Sequence, residues 1–405
     1  MQFTDLFFIP LTVIIGLLYI KQIAADLSAG HQPVLRKLFF FHLMIGVYYA
    51  FFLFGDANSY WNVSRTYSFN DFKEGIFDGE GTQFMRAFTF PFSNLLGMSY
   101  LANTLFFSLI GFIGMTLFYR VALQTIPFNT KQFGYALFPL IFFIPNLHIW
   151  SVSIGKDTLL FFCIGAFTFG LLKPIKRLPL IILAVMLSLA IRPHITLFLF
   201  VGFGLAYIMD GKVSTTQRIL LSVVLLGAGL AILPSVLEFA KIEDASADAF
   251  DKFAQEKTGA LSRGNVGSSV DISGYPFPLK VLTFWFRPFF FDVRNLNGLI
   301  ASIENLAIVI LFIKAIRNKP LTAFKKAPFV IKGLVFFLIV GTLAFSQSLG
   351  NVGIMIRMRN MFLPGMLIYL MWVFSYQQQV AKEQLLAYRA KLRQRPKPKE
   401  QLAKE

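Results

Sequence analysis

The chain has 405 residues, of which 56% are hydrophobic, 16% aromatic and only 15% charged, with a formal net charge of +17. A soluble domain carries about 25% charged residues, so this composition and a mean hydropathy of +0.63 exclude an ordinary soluble globular protein. A basic excess suggests nucleic acid in a soluble protein, but on a membrane chain it marks cytoplasmic loops. Cys163 is the single cysteine, so an internal disulfide is excluded as well.

In chain order, apolar runs at about 4–20, 38–54, 99–119, 132–149, 158–172, 178–191, 195–209, 218–236, 297–313, 329–346 and 360–376 predict eleven crossings. Each is long enough, with snorkelling flanks where it is short, for a hydrocarbon core roughly 30 Å thick. The expected fold is therefore all-α, a polytopic helix bundle over residues 1–376. The first run has no Lys or Arg before it and Lys21 after it, the reverse of a signal peptide, so it reads as a retained span with its N-terminus outside.

With that orientation the inner side carries 24 Lys and Arg against five acids, and the outer side 14 against 16. The charge is then +19 inside and −2 outside, as the positive-inside rule requires. The basicity is a topology signal, and no nucleic-acid partner is expected. Most non-membrane mass lies in two outer segments, 55–98 and 237–296, while 377–405 reads as a basic, partly helical cytoplasmic tail. Long loops are usually functional, so chemistry is expected outside. No internal repeat is visible.

Ionisable residues at span ends are the informative ones in such a chain, because burying them is costly unless they are paired, hydrated or used. Four clusters map to the outer face. Gly55-Asp56-Ala57-Asn58-Ser59-Tyr60-Trp61 follows the second span. Asp56 suits a general base, a metal ligand or a sugar contact, with Tyr60 and Trp61 at headgroup depth; a solvated cap with belt aromatics is the plainer alternative. Lys156 and Asp157 stand where the fifth span starts, so the helix N-terminus adds donors for an anion, or the pair simply caps the helix. His148, just upstream, reads as an interfacial histidine.

Arg192-Pro193-His194 breaks the apolar stretch 178–209 and forms a compact cationic point, suited either to a phosphate or to snorkelling. Arg357 and Arg359 lead into the last span, against the positive-inside trend. On a helix they diverge by about 200°, so both cannot snorkel alike. Arg287 of the long loop, with Arg263 and Arg294, can join the same basin, and the Pro-broken run 281–291 reads as an interfacial or re-entrant element.

An outer basin of cations, a carboxylate and aromatics suits a lipid whose phosphate or pyrophosphate carries a polar group. No zinc spacing, no nucleophile elbow and no cytoplasmic nucleotide loop is present, so the donor would have to arrive already activated.

GDANSYW around Asp56, WSVSIGKDT around Lys156, the Arg-Pro-His hairpin and IRMRNMFLP together resemble bacterial multi-pass glycosyltransferases of the GT-C type and the related O-antigen- and EpsG-like polysaccharide polymerases. The resemblance covers about residues 40–375. It implies a sugar on undecaprenyl phosphate or diphosphate as donor, a glycan or lipid acceptor, transfer outside the inner membrane, Asp56 as base and the outer cations on the lipid phosphate. This chain differs in placing the Asp loop after its second span and in lacking a paired acidic motif there, which leaves a divalent metal open. A transporter of lipid-linked or anionic glycans predicts mid-span charge, which is nearly absent, His42 and Glu304 coming closest. A non-catalytic envelope scaffold predicts outer arginines scattered and separately paired.

Overall fold

The computed structural model describes residues 4–53, 55–209 and 274–394, with Val270, Ile272 and isolated positions between 215 and 234. The described chain is almost entirely helical. Its long helices are α1 (Asp5–Ile23), α2 (His31–Phe52), α6 (Tyr100–Thr125), α9 (Lys156–Gly170), α10 (Leu178–Ile191), α11 (Pro193–Ile208), α13 (Leu296–Ile316), α15 (Phe329–Ser348) and α17 (Leu363–Gln394). Among them α1, α2, α6, α13 and α15 are each long and apolar enough to cross a membrane. The expected span 218–236 and most of the segment 237–296 lie outside the described residues.

Packing centres on α6, which is buried around nearly its whole circumference. Small residues bring its backbone against α9: a Cβ on Gly114 would lie 2.8 Å from Phe162 Cα, and one on Gly165 2.8 Å from Gly114 O. Lipid-type side chains such as Phe7, Phe40, Met44, Met186 and Ile303 cover the outside of the bundle and stay exposed.

Contacts between helix ends sort the bundle into two poles. At one pole Ser99 donates to Asp5, Trp61 Nε1 donates to Met98 O at 3.1 Å, and Gly81 N donates to Ala190 O at 2.8 Å. At the other, Arg120 forks onto Asp26, Lys314 Nζ meets Gln132 Oε1 at 3.1 Å and Trp372 Nε1 donates to Ala323 O at 2.8 Å. The sequence clusters expected outside all lie at the first pole.

Two expectations are corrected here. The run 132–149 is not a helix. It folds as a two-residue-per-strand hairpin, β1 (Lys131–Gln132) with β2 (Tyr135–Ala136), then a short turn α7 (Leu137–Leu140), a 3-10 turn Ile141–Phe143 and α8 (Pro145–Ile149). Pro139 and Pro145 remove the amides a continuous helix needs. The segment still returns the chain from the second pole to the first, pressed against α2 and α6. Irregular backbone at such depth is tolerated only where protein groups satisfy it. Ser108 Oγ donates to Val152 O at 2.9 Å, Thr158 Oγ1 to Ser153 O at 2.6 Å, and His148 Nε2 to Phe142 O at 2.7 Å.

His148 is the second correction, being fully buried rather than interfacial. Its Nδ1 lies 2.7 Å from Nδ1 of the equally buried His42. Since Phe142 O can only accept, His148 carries its proton on Nε2 and accepts at Nδ1 from His42. His42, one of the two residues closest to mid-span charge, is thus a strut for the irregular segment.

Outside the bundle, 55–98 is not a loop but three short helices, α3 (Asp56–Ser64), α4 (Phe69–Phe77) and α5 (Thr82–Phe90), ended by a π turn. α4 starts at a capping box between Ser68 and Asp71. α12 (Phe277–Phe286) buries Phe284 and Trp285 against α15, with Trp285 Nε1 donating to Thr342 Oγ1 at 2.9 Å, and leaves Leu279 and Leu282 exposed. α14 (Pro320–Lys326) links α13 to α15, and α16 (Val352–Arg359) lies between α15 and α17.

The close approach of the irregular segment to α6 is testable. A Cβ on Gly111 would sit 1.7 Å from Ser151 O and 3.3 Å from His42 Nε2, whereas one on Gly30 meets nothing within 4 Å. Gly111→Ala is expected to cost at least about 1–3 kcal/mol, read as a lower melting temperature of the detergent-purified protein. Gly30→Ala should leave that temperature unchanged.

Candidate functional site

The first pole carries a chain of ion pairs assembled from four separate elements. Asp56 opens α3 immediately after Gly55, and its side chain is 58% exposed. Arg357 projects from α16 and donates through Nη1 to Asp56 Oδ2 at 2.9 Å and through Nε to Asp157 Oδ2. Asp157, only 7% exposed, begins α9; its other oxygen lies 3.1 Å from Arg192 Nη1, at the break between α10 and α11. Met358 Sδ accepts from the same Arg192 nitrogen at 3.3 Å. Beside this chain, Lys156 Nζ donates to Thr82 Oγ1 at 3.0 Å, and the buried Tyr60 lies near Asp56 and Thr82. The buried Tyr49 and Ser153 lie near Asp157 and Arg357.

Each side chain owes its place to a local rule. Pro193 cannot donate a backbone hydrogen bond, so the apolar stretch breaks at Arg192, whose extended backbone turns the side chain off the helix axis. Gly155 precedes α9 with extended backbone, so Lys156 and Asp157 start the helix, where unpaired N–H groups favour a carboxylate. Asn351 caps α16 by accepting from Ile354 N at 3.1 Å, which starts the helix that carries Arg357.

The cluster holds three cations, Lys156, Arg192 and Arg357, against two carboxylates, Asp56 and Asp157. A buried carboxylate is tolerable only when paired, and Asp157 is paired twice. Arg192, Arg357 and Lys156, converging at the α9 N-terminus, can receive an anion. Asp157 beside it, with Asp56, holds the Arg357 guanidinium far above its ordinary range, so it stays charged. Burial, with Asp56 adding to it, pushes the Tyr60 phenol up, so Tyr60 acts only as a neutral hydroxyl.

The structure thus brings together Asp56, Tyr60, Lys156, Asp157, Arg192 and Arg357, keeps His194 beside Arg192, and turns Arg359, Arg287 and Trp61 to other partners. Arg359 diverges from Arg357 as the helical spacing requires. It is buried and donates to Phe284 O, to Trp285 O and, at 3.0 Å, to Asn305 Oδ1, so it braces α12 against α13. Arg287 is forked onto Asp292 five residues on and does not reach the cluster. Trp61 is committed to Met98 O and lies under Arg65 at 4.6 Å. His194 stands near Arg192 but packs edge-on between the rings of Phe198 and Phe345.

Asp157 as the partner of Arg357, and Thr82 as the partner of Lys156, were not foreseen from the sequence. Lys156-Asp157 gave a signal in the lone ion pair at a span start; Thr82 gave none. Among the described residues no group of three or more His, Cys, Asp or Glu side chains comes together to hold a metal. Comparison with known proteins returns no matching family model, no matching curated protein and no matching solved structure.

Arg359 and the Asp56–Arg357 pair should separate by experiment. Arg359→Ala leaves two buried carbonyls and Asn305 without their donor, at an expected cost of about 2–4 kcal/mol. Asp56→Asn, on an exposed side chain, should change stability by no more than about 1 kcal/mol. Thermal unfolding of the two purified variants checks both.

Proposed function

We propose that the protein is an integral-membrane glycosyltransferase or polysaccharide polymerase that uses a sugar linked to polyprenyl phosphate or diphosphate. In this reading the bundle crosses the bacterial inner membrane eleven times, the irregular segment 126–155 and the run 218–236 included. The pole bearing the ion cluster faces outward and the C-terminus is cytoplasmic. The one observation that carries it is the junction of an exposed carboxylate, Asp56, with the convergent cations Arg357, Arg192 and Lys156, at the pole opposite Arg120 and Lys314. The motifs that resemble GT-C enzymes supply Asp56, Lys156, Arg192 and Arg357, residues from four parts of the chain that meet in space.

The chemistry then divides among them. An acceptor hydroxyl approaches Asp56, whose exposure leaves it open to a hydrophilic substrate. Asp56 takes the hydroxyl proton as the oxygen attacks the anomeric carbon, and the bond from that carbon to the phosphate oxygen breaks. Negative charge grows on the departing lipid phosphate, where Arg192, Lys156 and Arg357 stabilise it. Arg357 also orients Asp56, because its Nη1 holds one carboxylate oxygen. Asp157 is a positioning residue: buried and doubly paired, it fixes the two guanidiniums at the mouth of the site. Thr82 sets the Lys156 ammonium.

Asp56→Asn should lower glycan transfer by about 10²–10⁴-fold and Arg357→Ala by at least about 10²-fold, both at unchanged membrane levels. Transfer from radiolabelled lipid-linked sugar in membranes measures each. Full activity in either variant would remove that residue from the mechanism.

A further inference from the structure

Three connections at the second pole repeat one pattern, an exposed apolar side chain at the tip with lysines or arginines beside it. In the β1–β2 hairpin, positive φ at Phe133 and Gly134 makes the tight turn. Phe133 and Tyr135 stand exposed there next to Lys131, with Lys314 Nζ 3.7 Å from the centre of the Phe133 ring. Between α9 and α10 the turn Lys173-Pro174-Ile175-Lys176-Arg177 leaves Ile175 91% exposed. Between α13 and α15, Leu321 of α14 is 76% exposed among the exposed Lys319, Lys325 and Lys326. None of the three connections, 126–136, 171–177 and 317–328, contains an Asp or Glu.

Two of these tips continue apolar strips on the bundle surface. On α10 the exposed Met186, Ile182 and Leu178 run down to Ile175, and on α13 the exposed Ile310, Ile313 and Ile316 run down to Leu321. The tips therefore prolong the surface that the spans turn to hydrocarbon, and the cations border it at its end. Basic side chains at such a border lay their stems along hydrocarbon and carry their charge to the headgroups. With no acid in the same connections, the border is complementary to anionic headgroups.

The α9–α10 turn is the most fully built of the three. The Arg177 guanidinium lies 3.5 Å from the centre of the Phe169 ring and donates to Phe169 O at 2.6 Å, which fixes it and leaves further N–H groups for a phosphate. Arg177 lies near Arg120 and Asp26, and Lys173 lies near Asp26 as well. Asp26 is taken up by the Arg120 fork, which leaves Lys173 and Arg177 to a headgroup.

We infer that the second pole binds anionic phospholipid. Phe133, Ile175 and Leu321 enter the edge of the hydrocarbon, and the lysines and arginines beside them hold lipid phosphates, most closely at the α9–α10 turn. This lipid is not the substrate of the proposed transfer, lies at the opposite pole from the ion cluster, and binds whether or not that transfer takes place. An acidic protein is the competing partner, but it would not account for loop tips that continue the lipid-facing strips.

The test uses the full chain reconstituted in phosphatidylcholine bilayers with trace spin-labelled phosphatidylglycerol or phosphatidylcholine, whose motionally restricted fractions give relative affinity. The wild type should prefer phosphatidylglycerol by at least about threefold at low salt, and the preference should shrink towards unity in about 1 M salt. Lys173→Gln/Lys176→Gln and Lys325→Gln/Lys326→Gln, all on exposed side chains, should each lower the preference by about twofold or more. Lys73→Gln, on the exposed face of α4 at the first pole, should leave it unchanged. Ile175→Trp should add emission, read as the difference from the wild type, that lipid brominated in the upper acyl chain quenches. Equal affinity for the two lipids in the wild type overturns the inference, as does a preference unchanged in both double variants or unquenched emission from Ile175→Trp. Displacement of the spin-labelled phosphatidylglycerol by polyglutamate assigns the surface to an acidic protein and overturns it too.

Discussion

Arg357 stands between two carboxylates, Asp56 and Asp157, that are 301 and 200 residues away in the chain, and the first pole of the bundle is organised by that contact. Asp157 is almost fully buried, so its charge cannot be left to water. It has to be paired, and the pairing brings α16 and the break at Arg192 onto the start of α9. Buried ion pairs rarely exceed an apolar replacement in stability, because desolvation offsets the attraction. The arrangement is better understood as a way of holding two guanidiniums at a set place and angle than as a source of stability.

A second constraint lies at mid-depth. Backbone inside an apolar bundle needs its polar groups satisfied, and the chain between α6 and α9 does not form a helix that would satisfy them internally. Its hydrogen bonds are supplied from Ser108 of α6, from Glu304 of α13 and from the His42–His148 pair. Gly111 lets Ser151 press directly on α6. Ser108, His42 and Glu304 therefore serve the backbone of this one segment. The same segment delivers Lys156 and Asp157 to the pole where Asp56 and Arg192 wait.

α16 divides its work by face. Arg357 turns to the ion cluster, Arg359 turns to α12 and α13, and Ile356 turns to an apolar cavity between α2 and α13. With eight residues and three separate neighbours, it adjoins the polar site and the apolar cavity through different side chains. Arg359, with its donors spent on carbonyls, is the part that keeps the helix seated.

Hydropathy and charge by themselves determined that the chain is an apolar helical bundle with its basic loops on one side, because apolar run length and Lys/Arg distribution are local, additive properties of sequence. They also marked Asp56, Lys156, Arg192 and Arg357 as residues out of keeping with their surroundings, since an ionisable group at a span end is conspicuous wherever the chain goes next. Only the tertiary structure decided which of these residues meet. Pairings such as Arg357 with Asp157, or Lys156 with Thr82, depend on how helices far apart in sequence pack. The run 132–149 shows the same limit: its composition suits a span, but prolines at two positions and partners on three other helices make it an irregular one. Arg357 and Arg359 have the same charge and almost the same sequence context. Their opposite roles come from helical geometry and from the neighbours that each face of α16 finds.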